Sequence, residues 1–584
     1  HLFSQAAPGS LWEKDGYNYL TLGINKWDNG EGNKALEARP KGQWFSEDSI
    51  TPLLPPNMRL RFLPINEVHG RVAMRRWPYK NGLRCNNGHL MDAKTPNKDG
   101  TILCTICGSE TAPTRWISIC EDGHLHPFNY FGWVHQGQGN CPKSAQLKLN
   151  YGSGASYTLS DWIVECKNCN RTRDMGQVSW ITTKNGPDCQ GWRPWLGGEE
   201  ATEDCNKRLI HETVGSISIC FSEGASIMLI PLTISWSLSE NGLIKQLLLT
   251  KKNTPEIFDM TLEMLAPRLK LELPAEYIGG DGVFLGEKLK RHIETFTETL
   301  SMPLSQENVR LRELKGILSS NPRNIYDPSR FNARSIIESP LAGTWADTEW
   351  PVKSIFRLDR LTELKYITGL TRTGEADKVQ PIDFSELEDD YGVCQMHYGE
   401  GLLFELKPEW LEQISDNRNS ILSIEHAEMV HSSKWLRKSV GQQLPTINEF
   451  SIANNHITVL HTFSHLLIRE LCVISGYSVG SIRERLYLHH DEHGRITSAG
   501  ILLYTSGPSS DGTLGGLVRQ GTQTLTETLI SRALESLDMC SNDPVCFHHE
   551  PTASERNGAA CHACLYLPET SCEFGNLFLD RRWK

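Results

Sequence analysis

Cys166-Lys167-Asn168-Cys169, followed by Cys189 and Cys205, is the stretch from which the organisation of this chain can be read. Zinc takes four tetrahedral ligands, and two thiols three residues apart on a tight turn are what a short loop can offer it. Asn168, Asn170 and Gly191 suit such turns. Cys166, Cys169, Cys189 and Cys205 therefore read as one four-cysteine site of ribbon type. Upstream, Cys85-Asn86-Asn87-Gly88-His89 precedes Cys104 and Cys107, so Cys85, His89, Cys104 and Cys107 make a second set. Cys120-Glu121-Asp122-Gly123-His124 repeats the first half of that pattern. His135 and Cys141 complete a third set with Cys120 and His124, although His126 competes and ligands could interleave between sets.

The 17 cysteines fall into two groups, ten from Cys85 to Cys220 and five from Cys540 to Cys572, with Cys394 and Cys472 alone between them. Cys220, Cys394 and Cys472 read as small buried hydrophobes. In the second group Cys546, Cys561, Cys564 and Cys572 are expected to hold one metal, with Cys540 as the substitute. The four sets predict three to four zinc ions per chain. A closed thiolate site leaves no position for an activated water, so these sites should hold the fold together rather than catalyse.

At 584 residues the chain exceeds what one hydrophobic core usually serves. Its 39% apolar residues exclude a largely disordered chain. Clustered metal-binding thiols need a reducing compartment, and no basic-then-apolar leader is visible before the first polar stretch, so a cytoplasmic protein is expected. No stretch approaches the ~20 uninterrupted apolar residues of a bilayer crossing, and no membrane partner is expected. With 59 basic against 70 acidic residues the net charge is -11, so any contact with DNA must come from a local basic patch. Arg71, Arg75, Arg76, Lys80 and Arg84, with Trp77 and Tyr79 between them, are the best candidate. The cations would neutralise phosphates and an aromatic ring could stack on an unpaired base.

The fold class expected is α+β and multidomain. Residues 1–80 read as an irregular N-terminal segment with short strands such as 17–22, and 81–240 as zinc modules with strands, including 216–237. Residues 241–450 read as mixed and helix-rich, with helices at 287–302 and 305–319. Residues 451–584 read as a mixed α/β domain, with a helix at 456–474, a strand at 499–505, a Gly-rich loop and a helix at 522–537. His461 and His465 stand at i and i+4 on the first of these helices, a spacing that can chelate metal, but Thr462 replaces the Glu of HExxH. The bland reading, histidines of a buried helix, is preferred over a metal-dependent hydrolase or nuclease that would use them with a carboxylate such as Glu470. No GxxxxGK[ST] motif occurs, so the chain is not expected to be a motor by itself.

Together, several C-terminal stretches resemble the cysteine-bearing domain associated with superfamily-two helicases: His461-Thr-Phe-Ser-His465, the strand ending at Tyr504 with Asp511-Gly-Thr-Leu-Gly-Gly516, Asp543-Pro-Val-Cys546, Cys561-His-Ala-Cys564 and Pro568-Glu-Thr-Ser-Cys572. In front of them, Cys189-Gln-Gly-Trp-Arg-Pro-Trp195, Cys205, and Leu358-Asp-Arg360 running to Thr371-Arg372 resemble the DrmB family of DISARM anti-phage systems. The resemblance covers most of the chain after about residue 80. It implies a non-catalytic, zinc-binding partner of a DrmA-type superfamily-two helicase, which would supply ATP hydrolysis, and a contribution to largely sequence-independent DNA binding. The competing expectations are the hydrolase or nuclease built on His461 and His465, and a protein-only adaptor.

Overall fold

The computed structural model describes chiefly residues 7–24, 58–62, 74–92, 102–151, 158–178, 186–197, 202–230, 242–273, 283–293, 306–320, 331–336, 349–372, 378–382, 390–416, 447–507, 516–550 and 557–583. The chain forms two units, each assembled from three stretches. The first comprises His1–Ser46, Pro56–Ala225 and Lys365–Gln395, the second Glu47–Pro55, Ser226–Leu364 and Met396–Lys584. The architecture is mixed α and β, as expected.

The first unit contains four separate three-stranded antiparallel sheets whose strands are only two to five residues long. Sheets this small bury too little apolar surface to be stable alone. They are joined through two apolar clusters. One gathers Leu11, Leu20, Trp77, Ile117, Trp195 and Ile367, the other Trp133, Leu147, Leu149, Val164 and Cys166. Arg372 is wholly buried and donates to the carbonyls of Gly9 at 2.8 Å and Gly123 at 2.9 Å, and to that of Ile219. A buried cation satisfied this fully fixes three distant segments against one another, because an unpaired charge there would cost several kcal/mol.

In the second unit Gly401–Leu406 pairs with Ala499–Tyr504, which pairs in turn with Arg483–His490. Against this sheet lies the helix Ile447–Ser475, with Phe463, Leu467 and Leu471 buried at helical spacing in a cluster with Leu402, Phe404, Ile501 and Leu503. Each such side chain contributes about 1.5–3 kcal/mol by burial. Asn455–Ser475 is long and apolar enough to cross a membrane by length and composition, although Arg469, Glu470 and three histidines interrupt it; it is mostly buried within the protein, where it serves as a core helix. Arg485 and Glu313, both buried, form a bidentate pair at 2.7 Å that ties the strand Arg483–His490 to the helix Gln306–Leu318.

The middle of the chain, expected to be helix-rich, holds the helices Gly242–Asn253, Phe258–Glu272, Gln306–Leu318 and Pro408–Asp416, and also the two longest strands among the described residues, Val352–Thr371 and Asp390–Leu406. Val352–Thr371 is buried along nearly its whole length, so it lacks the clean alternation by which a half-exposed strand is read. The strand expected at 216–237 is Phe221–Met228, and 231–241 lie outside the described residues, as does most of 287–302. The expected C-terminal helix is Gln523–Glu535.

Candidate metal centres

The repeated Cys-x-x-Gly-His stretches form the same turn twice. Cys85 closes the strand Leu83–Cys85, the amide of Gly88 donates to the Cys85 carbonyl at 2.8 Å, and the chain returns as Leu90–Met91. Cys120 follows the strand Trp116–Ile119, Gly123 donates to its carbonyl at 2.9 Å, and the chain returns as Leu125–Pro127. Both glycines have positive φ, 82° and 85°, and a Cβ on Gly88 would stand 2.6 Å from Oδ1 of Asn150. Only glycine suits these positions. The Cys-x-x-Cys knuckles share a second turn: Gly108 donates to the Cys104 carbonyl and Asn170 to that of Cys166, both at 2.8 Å and both at positive φ.

These turns deliver four clusters of Cys and His, in each of which the ligand atoms lie within 4.8 Å of one another: Cys85, His89, Cys104 and Cys107; Cys120, His124, Cys189 and Cys205; His135, Cys141, Cys166 and Cys169; Cys540, Cys546, Cys561 and Cys564. Tetrahedral ligands about 2.3 Å from a zinc ion must stand about 3.8 Å apart if both are sulfur, and somewhat less if one is nitrogen. The separations fit. Cys85 and Cys107 are 3.7 Å apart, Cys141 and Cys166 3.6 Å, Cys540 and Cys561 3.6 Å, and Cys546 and Cys564 3.7 Å. Sγ of Cys85 is 3.5 Å from Nδ1 of His89, and Sγ of Cys169 is 3.3 Å from Nε2 of His135. All 17 cysteines are free thiols.

The first set is the one expected. The second and third exchange halves: Cys189 and Cys205 join Cys120 and His124, while Cys166 and Cys169 join His135 and Cys141. Strand pairing decides this. Ile163–Cys166 pairs with Leu147–Asn150, which follows Cys141, and the helix Tyr130–His135 packs on the same cluster. Ile210–Thr213, which follows Cys205, pairs instead with Trp116–Ile119, which leads into Cys120. His126 stays outside the cluster, its Nε2 3.3 Å from Sγ of Cys189 and its ring stacked on Trp192. In the C-terminal set Cys540 takes the place expected for Cys572. Cys572 is drawn away because Glu484 donates its amide to the Ser571 carbonyl and accepts from the amide of Glu573, both at 3.0 Å, which seats it beside Nε2 of His461 at 3.1 Å.

Supporting groups orient these ligands, as metal-bound histidines and thiolates require. Nε2 of His124 meets Oε1 of Glu203 at 2.7 Å, leaving Nδ1 to face Cys120 at 3.2 Å. Glu203 also accepts from Lys378 at 2.7 Å and Gln380 at 2.9 Å. Burial works against ionisation of Glu203, yet these partners hold its carboxyl down at about 2. Nδ1 of His135 donates to the Phe131 carbonyl at 2.8 Å, aiming Nε2 at the third cluster. In the fourth, backbone amides of Asn542 and Cys561 donate to Sγ of Cys540 and Cys564 at 3.4 and 3.3 Å, and the buried Arg581 pairs with Asp543 beside it. Glu203 carries no sequence signal, because His124 and Lys378, which it joins, are more than seventy residues away from it.

Among the other expected residues, Cys394 and Cys472 are buried among apolar side chains as read, and Cys220 is half-buried. Glu470 pairs with Arg532 at 3.1 Å; lying nine residues beyond His461 it falls on the opposite helix face, and the carboxylate beside the two imidazoles is Glu484. The nucleic-acid patch is only partly realised. Trp77, proposed as a stacking platform, is 2% exposed and belongs to the core, since it follows the paired strand Met74–Arg76 and turns inward. Arg84 lies over the Tyr151 ring at 3.9 Å and donates to the Leu149 carbonyl. Lys80 is exposed, Arg75 and Arg76 stand on the strand Met74–Arg76, and Arg71 lies outside the described residues.

A family model described as the MrfA Zn-binding domain matches residues 463–565, the stretch that contains the four-cysteine cluster. This chain carries a Zn-binding domain at its C-terminal end. A second model, described as a domain of unknown function, matches residues 1–221 and so spans the other three clusters. The chain is also similar to the DISARM protein DrmB of Bacillus paralicheniformis, with 27% identity over 492 residues, 82% of this chain and 81% of the relative. The resemblance stated from the sequence is therefore borne out, both to DrmB and in the cysteine-bearing C-terminal domain. Zinc is the metal that this domain and the cysteine- and histidine-rich clusters suit.

Proposed function

We propose that this chain is a non-catalytic, zinc-stapled subunit of a DISARM anti-phage system, acting in the cytoplasm. In this reading it docks a DrmA-type superfamily-two helicase and helps hold invading DNA by charge rather than by reading bases. The supporting observation is that each of the four Cys/His clusters supplies four protein ligands. A zinc ion so enclosed has no open position for a water or substrate, and its contribution is folding energy. Similarity over 82% of the chain to a DISARM protein supports the defence setting. In this reading each of these four clusters holds one zinc ion.

DNA contact falls to the exposed Lys80 and its neighbours Arg75 and Arg76, with the helicase supplying the rest of a basic channel. The test is to purify the chain with its helicase partner and measure DNA binding against salt for the wild type and for a triple charge reversal, Arg75→Glu, Arg76→Glu and Lys80→Glu. A shallower salt dependence and weaker binding in a complex that still assembles is the expected result. Unchanged DNA binding would make the chain a protein-only adaptor, and ATP turnover by the chain alone would contradict the division of labour.

A further inference from the structure

His461 and His465 lie one turn apart on the helix Ile447–Ser475, and Glu484 and Cys572 bring a carboxylate and a thiol to the same point. Nε2 of His461 is 3.1 Å from Sγ of Cys572 and 3.1 Å from Oε1 of Glu484, and Nε2 of His465 is 3.5 Å from that same oxygen. All four side chains are buried. We propose that these four residues form a further zinc site, distinct from the four-cysteine cluster, which fastens the C-terminal turn carrying Cys572 to the long helix.

The convergence of the donors separates this arrangement from a catalytic relay. In a thiol–histidine–carboxylate relay the nucleophile and the carboxylate take opposite nitrogens of one ring. Here both face Nε2 of His461, and its Nδ1 has no hydrogen-bond partner among the described residues. Nitrogen, oxygen and sulfur ligands around a tetrahedral zinc stand about 3.3–3.6 Å apart, close to the separations seen.

His465 carries the second observation. Its Nδ1 donates to the Leu565 carbonyl at 2.8 Å, so the neutral ring presents its lone pair at Nε2, and among the described residues that buried atom has no hydrogen-bond partner. A lone pair facing a carboxylate oxygen is repulsive unless a cation lies between them. The other ligands are held from behind, as metal ligands are: Ser464 Oγ donates to Oε2 of Glu484 at 2.5 Å, and the amide of Asn576 to Sγ of Cys572 at 3.1 Å. A dication with one thiolate, one carboxylate and two neutral imidazoles is neutral overall, whereas the two anions alone would be costly to bury. His461 and Cys572 also lie outside residues 463–565, so the matched Zn-binding domain does not contain the full set.

The proposal does not depend on the helicase or on DNA. Its test is zinc per chain, by plasma mass spectrometry, in the full-length wild type and in the variants Cys572→Ser, His465→Ala and Cys572→His. The wild type should hold five zinc ions, one for each of the five clusters. The Ser and Ala variants should each hold one fewer, and Cys572→His, which restores a ligand, should match the wild type. Folded Ser and Ala variants with undiminished zinc would overturn the site, leaving a proton to balance the buried charges. Should the substitutions prevent folding, cobalt titration of zinc-free, refolded wild type decides. Binding that saturates at five equivalents supports the site and saturation at four overturns it.

Discussion

The thiols of Cys141 and Cys166 stand 3.6 Å apart, brought together across 25 residues by the pairing of the strands that flank them. The Cys120–His124 turn and the Cys189–Cys205 stretch lie on either side of this pair in sequence and close a cluster of their own. The two sites are therefore interleaved along the chain but separate in their ligands.

Loss of one should spare the other. Substituting Cys189→Ser removes a ligand from the Cys120 cluster only. Mass-spectrometric mapping of thiol alkylation in mild urea should show Cys120 and Cys205 becoming reactive while Cys141, Cys166 and Cys169 stay protected. Simultaneous labelling of Cys166 and Cys169 would mean that the ligands are shared as the linear spacing suggests.

Glu203 orients His124 without touching the metal position. Glu203→Ala should weaken zinc at that cluster by about 10–100-fold, the usual cost of losing such a support. Chelator competition reads this as early release of one ion while the others leave at the wild-type rate. Release indistinguishable from wild type would remove Glu203 from the site.

Acid should destabilise the protein through its buried imidazoles. Burial holds His211 at about 4, and burial reinforced by nearby positive charge does the same for His456 and His489, against an ordinary value of 6.5. The unfolded chain takes up these protons near 6.5 and the folded chain only near 4. Stability therefore falls as the pH is lowered through that window and is fully present above it. His211 accepts or donates a hydrogen bond with Ser118 at 2.8 Å and packs against Phe128. His211→Phe should narrow the drop in urea midpoint between pH 7 and pH 5; an identical drop would exclude His211 as a contributor.

The sequence made the turns legible and hid the pairings. Cys-x-x-Cys and Cys-x-x-Gly-His are local, with glycine or asparagine at the positions that need positive φ, so the pairs Cys85/His89, Cys104/Cys107, Cys120/His124 and Cys166/Cys169 could be read directly. Which halves meet depends on strands of three or four residues, too short to show a period, and linear spacing alone joins Cys166 with Cys189 rather than Cys141. The helix around His461 was legible from its apolar run, but its carboxylate partner was not. Glu484 lies outside the helix, on the following strand Arg483–His490, and the helix offers Glu470 first. Trp77 misled because an aromatic among arginines looks the same in sequence whether it faces a base or the core.

Bound zinc is expected to hold the small sheets of the first unit and the C-terminal turns in place. This is tested most directly by thermal unfolding of the full chain after its metal has been stripped by a chelator under reducing conditions. The cooperative transition should be lost or sharply lowered and should return when zinc is added back. A metal-free preparation that unfolds at the wild-type temperature with an undiminished transition would contradict it.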